Sequence, residues 1–162
     1  MATYKINQAG INIIKSFESL SLTAYHGKAD KPGVWTIGWG TIRYMGGAKV
    51  KEGDVITEER ADELFLYDLQ QIVKDVNYLV TSKITDNQFA ALVSFAYNLG
   101  SDIDDDKIAE GLGDSTLLKK VNANPNDPTI KQEFYKWVNA GGRPVKGLMR
   151  RRKAEVDLYF TK

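Results

Sequence analysis

The stretch Glu18–Gly40, ESLSLTAYHGKADKPGVWTIGWG, decides the fold. Before it, Asn7 is a good helix N-cap, and Ile11, Ile14 and Phe17 recur at helical spacing up to Glu18. After it, from Leu22 to Val50, β-branched and aromatic residues alternate with glycine and proline. That composition predicts a small antiparallel sheet with turns at Pro32-Gly33 and Gly46-Gly47. A carboxylate at a helix C-terminus therefore runs straight into a hairpin carrying a second carboxylate, Asp30, and the hydroxyl of Thr36. Apolar neighbours and the negative end of the helix dipole both favour the protonated form of Glu18, which a general acid needs. Cleaving a glycosidic bond requires one carboxyl to protonate the leaving oxygen. It also requires a second polar group, across a gap, to handle water or the developing cation. Gly38 and Gly40 flank Trp39 where a close backbone approach to a ligand would need missing side chains. Of Trp35 and Trp39, one is expected to serve packing alone.

The pattern resembles the phage-type lysozymes, or endolysins, of glycoside hydrolase family 24. Their signature is a glutamate, eight residues, an aspartate or cysteine, five residues, then a threonine opening a Thr-Ile-Gly-aromatic-Gly motif. Here Glu18 is followed by Leu22, Ala24 and Tyr25, and Thr36-Ile37-Gly38-Trp39-Gly40 closes the motif. Two further blocks resemble the family: QFAALVSFAYNLG at 88–100 and GLMRRRKAE at 147–155. One position departs from the pattern, since Gly27 stands where the family has its aspartate or cysteine. Asp30 lies three residues later and keeps the five-residue gap to Thr36. The resemblance thus implies an insertion between Tyr25 and Asp30, with Glu18, Asp30 and Thr36 catalytic. It further implies sugar contacts from Trp39 and Asn98, and Arg143, just after Gly141-Gly142, as the arginine that holds Glu18. The implied activity is an N-acetylmuramidase acting on peptidoglycan without a cofactor. If Gly27 truly fills the second position, the alternative is a lytic transglycosylase, in which the sugar's own hydroxyl attacks. An inactive peptidoglycan-binding protein is a further alternative, whose expected mark is a missing Glu or Thr.

Length and charge narrow the field. A chain of 162 residues is long enough to bury a core, and is read as a single catalytic domain spanning 1–162. A net charge of +1 argues against a dedicated nucleic-acid binder. The absence of cysteine rules out a disulfide framework and any cysteine zinc site. The N-terminus has no basic region followed by a long apolar run, so neither a signal peptide nor a membrane anchor is expected. By the resemblance, such an enzyme acts from the host cytoplasm and reaches the wall after a holin permeabilises the membrane. A monomer is expected.

The rest of the chain reads as helices. Thr57 caps a long helix whose apolar stripe is Ala61, Phe65, Leu69, Ile72, Val76 and Val80. Thr85 and Gln88 have capping-box spacing, and Gly100 ends the helix they open. Asp102, Asp104, Asp105 and Asp106 form a charge run. It lacks the Gly and Glu of a calcium loop, so a solvated loop without metal is expected. Ser115 or Thr116 opens a short helix, and Asp127-Pro128 is read as the start of another, with Ile130, Phe134 and Trp137 inward. The last segment carries Arg143, Lys146, Arg150, Arg151, Arg152 and Lys153, a run suited to anionic wall polymers or outer-membrane lipid. Leu148, Val156 and Phe160 are read as packing that segment onto the body. The fold expected is therefore α+β and lysozyme-like. A small antiparallel β lobe, about residues 20–57, is joined by a long helix to a helical lobe, about 58–162 plus the N-terminal helix.

Overall fold

A computed structural model describes residues 3–26, 33–104 and 106–162. Asp30, Gly27 and Asp105 lie outside the described residues. Among the described residues, six helices and two short antiparallel ladders follow the chain order α1 Gln8–Glu18, β1 Ser21–His26, β2 Trp35–Gly38, α2 Glu58–Leu79, α3 Asp86–Leu99, α4 Thr116–Ala123, α5 Ile130–Tyr135, β3 Asn139–Ala140, β4 Arg143–Pro144 and α6 Lys146–Tyr159.

Local chemistry sets most of the helix starts. Asn7 accepts from the Gly10 amide, Thr57 from Arg60 and Ser115 from Leu118, each satisfying an amide that the first turn leaves without a partner. Thr85 and Gln88 close the full capping box. The start of α5 is different. The Asp127 carboxylate accepts from the Thr129 amide at 2.9 Å and its hydroxyl at 2.7 Å, so it closes a turn and the helix begins only at Ile130.

The expected β lobe is slight. β1 and β2 pair through Ser21↔Gly38, Tyr25↔Thr36 and His26↔Trp35, with an irregularity between the first two pairs. Beyond them, single bridges at Thr23↔Val55, Ile37↔Thr41 and Arg43↔Lys49 tie down the loop to α2. Ala24, Ile37 and Val50 form a small core of their own under Trp35, Tyr44 and Ile56. A second hairpin, unforeseen in the sequence, joins β3 to β4 through Gly141 (φ +59°) and Gly142 (φ +78°). Two positive φ angles in a two-residue turn are what glycine supplies at least cost.

α3 is the axis of the larger core. Every residue from Gln88 to Ala96 is buried, so this helix has no solvent face over that span. α1, α2 and α6 pack around it, and Phe89, Leu92, Phe95, Phe134, Val156 and Tyr159 fill the space between. The long stripe of α2 behaves as expected, with Ala61, Phe65, Leu69, Val76 and Val80 buried and Ile72 partly so. Phe160 departs from expectation. It is exposed beyond the end of α6, and Tyr159, one residue earlier, takes the inward place.

Candidate active site

Where the two lobes meet, a cleft of about 850 Å³ opens. Glu18 and Ser19 from the end of α1, Tyr25 from β1, Thr36 from β2 and Asn98 from α3 form much of its wall. Glu110, the β3–β4 region and the start of α6, including Arg150 and Arg151, complete the lining.

Glu18 is the last residue of α1, and Ser19 turns the chain away with φ +56°. A non-glycine residue in that region stores backbone strain, of order 1–3 kcal/mol, where surrounding contacts impose it. The Glu18 side chain is 10% exposed, and its Oε1 receives Arg151 Nη1 at 2.7 Å. On the other side Gly40, at φ +97°, leaves Glu18 Oε2 only 2.6 Å from where a Cβ would sit. The close approach that Gly40 permits is therefore to the carboxylate of Glu18, not to a ligand.

The arginine on Glu18 is Arg151, not Arg143. Arg143 lies exposed on β4, whereas Arg151 and Arg152 are buried on the face of α6 that packs on α3. Helical spacing brings both to Glu155, which is also fully buried. Arg151 Nε lies 3.4 Å from Glu155 Oε2, and its Nη2 donates to the Ser94 carbonyl at 3.1 Å. Ser94 Oγ donates to the same Glu155 oxygen at 2.6 Å. Arg152 Nε sits 2.7 Å from Glu155 Oε1, an ion pair whose angle falls short of a hydrogen bond. Its Nη2 donates to Asn98 Oδ1 at 2.8 Å and to Glu155 Oε2 at 3.1 Å. Burial pushes the Arg152 guanidinium below its ordinary value, while the Glu155 charge works against that shift. The basic run is thus split. Arg143, Lys146, Arg150 and Lys153 face solvent; Arg151 and Arg152 serve the interior.

Thr36 is buried, at 2% exposure, and its Oγ1 makes no hydrogen bond among the described residues. A buried hydroxyl left without a partner is a cost that a bound water or ligand would relieve. Tyr25, its ladder partner, also lines the cleft. Burial pushes the Tyr25 hydroxyl up, and the charge of Glu18 adds to it. Asn98 reaches the cleft as expected. Trp39 is not on the cleft wall. Its indole donates to Asp62 at 3.0 Å, its carbonyl accepts from the Tyr97 hydroxyl at 2.8 Å, and Lys15 stands 4.8 Å above its ring. That residue braces α1 and α2 beneath the site. Tyr97 is itself deeply placed, so burial above all, then Asp68 and Glu18, push its hydroxyl far up.

In the acidic loop, Asp102 Oδ2 accepts from the amides of Glu110, Gly111 and Asp114 at 3.0, 3.2 and 3.3 Å. That carboxylate shapes the loop, and Glu110 then reaches the cleft rim.

Relatives bear on what such a cleft does. The family model described as phage lysozyme matches residues 15–155. The chain belongs to the phage lysozyme family. It is 41% identical over 156 residues to an endolysin of Bacillus phage B103, covering 96% of this chain and 54% of that protein. It therefore spans about half the length of that relative. Among solved structures, an endolysin from Escherichia coli O157:H7 phage FAHEc1 superposes with a TM-score of 0.80 at 36% identity, covering 98% of this chain and 95% of that one. The muramidase domain of SpmX from Asticaccaulis excentricus gives 0.77 at 35% identity, over 98% and 99% of the two chains. The lysozyme fold of this family member is thus the α+β arrangement read from the sequence.

Proposed function

We propose that the chain is an endolysin muramidase that hydrolyses the β-1,4 bond between N-acetylmuramic acid and N-acetylglucosamine in bacterial peptidoglycan, causing host cell lysis. One observation carries this reading: in a cleft of about 850 Å³, the nearly buried Glu18, oriented by Arg151, shares the wall with Thr36, whose hydroxyl has no partner among the described residues. Glu18 protonates the leaving glycosidic oxygen. Thr36 Oγ1, together with Asp30, holds a water on the opposite face of the ring and steadies positive charge at the anomeric carbon. Asn98 contacts the sugar from α3, and Arg152 fixes its amide. The chemistry asks only for these side chains and water.

Among the described residues no helix is long and apolar enough to cross a membrane. Passage to the wall through a holin-type lesion, and action as a monomer, belong to the same proposal. The exposed cations Arg143, Lys146, Arg150 and Lys153 form the surface that would meet anionic wall polymers.

The test is Glu18→Gln, an amide of similar shape that cannot give up the required proton. Digestion of purified peptidoglycan should fall by ~10²–10⁴-fold with thermal unfolding little changed. A variant within a few-fold of wild type would remove Glu18 from the mechanism.

A further inference from the structure

The cluster behind the cleft contains more than the acid's arginine. Ser94, Glu155 and Arg152 are fully buried and Arg151 is 3% exposed, yet all their polar ends converge. Buried ionic groups are costly unless they are closely paired, so three in one place call for a reason. Glu155 is the common point. One of its oxygens receives the Ser94 hydroxyl, Arg151 Nε and Arg152 Nη2; the other faces Arg152 Nε. Each arginine then leaves the cluster toward a different residue of the cleft lining. Arg151 extends Nη1 to Glu18, and Arg152 extends Nη2 to Asn98. Arg151 is gripped from behind by the Ser94 carbonyl, and Arg152 by the Trp137 carbonyl at 3.3 Å.

We infer that Glu155 is a positioning residue for the reaction: through Arg151 it fixes the proton-donating carboxyl of Glu18, and through Arg152 it fixes Asn98. This inference rests on the reading of Glu18 as the acid. Its physical content is twofold. Geometrically, Glu155 and Ser94 leave Arg151 one aim, and a displacement of about 1 Å at a reacting group is worth roughly a hundredfold in rate. Electrostatically, Glu155 balances the second arginine. With it, Glu18 faces a cluster of two cations and one anion; without it, two cations and no anion. Loss of the Glu155 charge therefore makes Glu18 hold its proton less well, and a general acid works only while protonated. The other groups facing Glu18 are Tyr25 from β1 and Tyr97 from α3, while Glu110 is a further residue of the cleft lining. None of these supplies the missing negative charge within the cluster.

Three variants test this by steady-state digestion of purified peptidoglycan across pH, with thermal unfolding measured on each. Glu155→Gln should lower kcat by roughly tenfold to a hundredfold and move the alkaline limb of the pH–rate profile to lower pH. Glu155→Asp keeps the charge and should return the limb toward the wild-type position, even though its shorter side chain leaves kcat reduced. Ser94→Ala removes only the hydroxyl that holds Glu155 and should lower kcat several-fold with little change in KM. If Glu155→Gln does not fold, Ser94→Ala and Glu155→Asp decide, and wild-type kcat in both overturns the inference. A folded Glu155→Gln with an unmoved limb and wild-type kcat overturns it too, since a merely structural residue would lower the melting temperature alone. Failure of wild type itself to cleave peptidoglycan would instead refute the proposed function, which separates the two claims.

Discussion

Gly40→Ala offers a sharp perturbation, because the atoms nearest the added methyl all belong to the acid. The new Cβ would meet Glu18 Oε2 at 2.6 Å, and ordinary contact begins near 3.4 Å, so the carboxylate must retreat by roughly 0.8 Å. That oxygen is the far end of a side chain and can swing, so the clash itself takes little stability. What moves is the proton donor. A shift of this size predicts a rate loss of about tenfold to a hundredfold. Stability is lost separately, because φ at Gly40 is +97° and an alanine in the left-handed region costs about 1–2 kcal/mol. For a chain of this length that corresponds to a fall in Tm of roughly 2–8 °C. Gly47→Ala is the matched control. Its φ is +96° and nothing lies within 4 Å of an added Cβ, so it carries the strain without the clash. Peptidoglycan digestion and thermal unfolding of the pair, side by side, should give similar Tm losses but a rate loss only in Gly40→Ala. Equal activity in the two variants would refute the claim that Gly40 exists to admit the Glu18 carboxylate.

Further expectations follow from single contacts. Thr36→Val removes a buried hydroxyl with no partner among the described residues. Its Tm should hold or rise, while the loss of one hydrogen bond to water in the transition state lowers the rate about tenfold; a fall in Tm with full activity would contradict the role given to Thr36. Glu133 is a stability site remote from the chemistry. Burial pushes its carboxyl up, but hydrogen bonds from Lys136 and Lys120 outweigh this and hold it below its ordinary value of 4.5. A depressed folded value means the pair stabilises above pH 4.5 and loses that contribution as pH falls through the folded value. Glu133→Gln should therefore lower Tm at pH 7 and flatten its dependence on acid; parallel Tm–pH curves would show that the pair adds nothing.

Local chemistry carried much of the fold into the sequence. Asn7, Thr57, Thr85 and Ser115 could be read as caps because a cap depends on residues within one turn of it. Asp127 is ambiguous for the same kind of reason, since its carboxylate closes a turn as readily as it caps a helix. The β3–β4 hairpin leaves no mark in the sequence because two-residue strands have no alternation to detect. Glu18, Thr36 and Asn98 were legible, and all three line the cleft. The partner of Glu18 was not. Arg151 lies 133 positions away, and only packing of α6 on α3 brings them together. A run of four basic residues reads as a solvated surface, yet Arg151 and Arg152 stand four and three residues from Glu155, a spacing that points to burial as a set. Trp39 shows the converse: an aromatic flanked by glycines reads as a ligand platform, and here its indole, carbonyl and ring are all taken up by α1, α2 and α3.

The central claim is hydrolysis of the glycan with Glu18 as acid and water as nucleophile. Mass spectrometry of the soluble products from purified peptidoglycan, digested by the wild-type protein, tests it most directly. Fragments ending in reducing N-acetylmuramic acid are the predicted result, because the attacking water adds its oxygen at the anomeric carbon. Fragments ending in 1,6-anhydro-N-acetylmuramic acid would contradict it. In that event the sugar's own hydroxyl is the nucleophile, and neither Thr36 nor Asp30 holds a water.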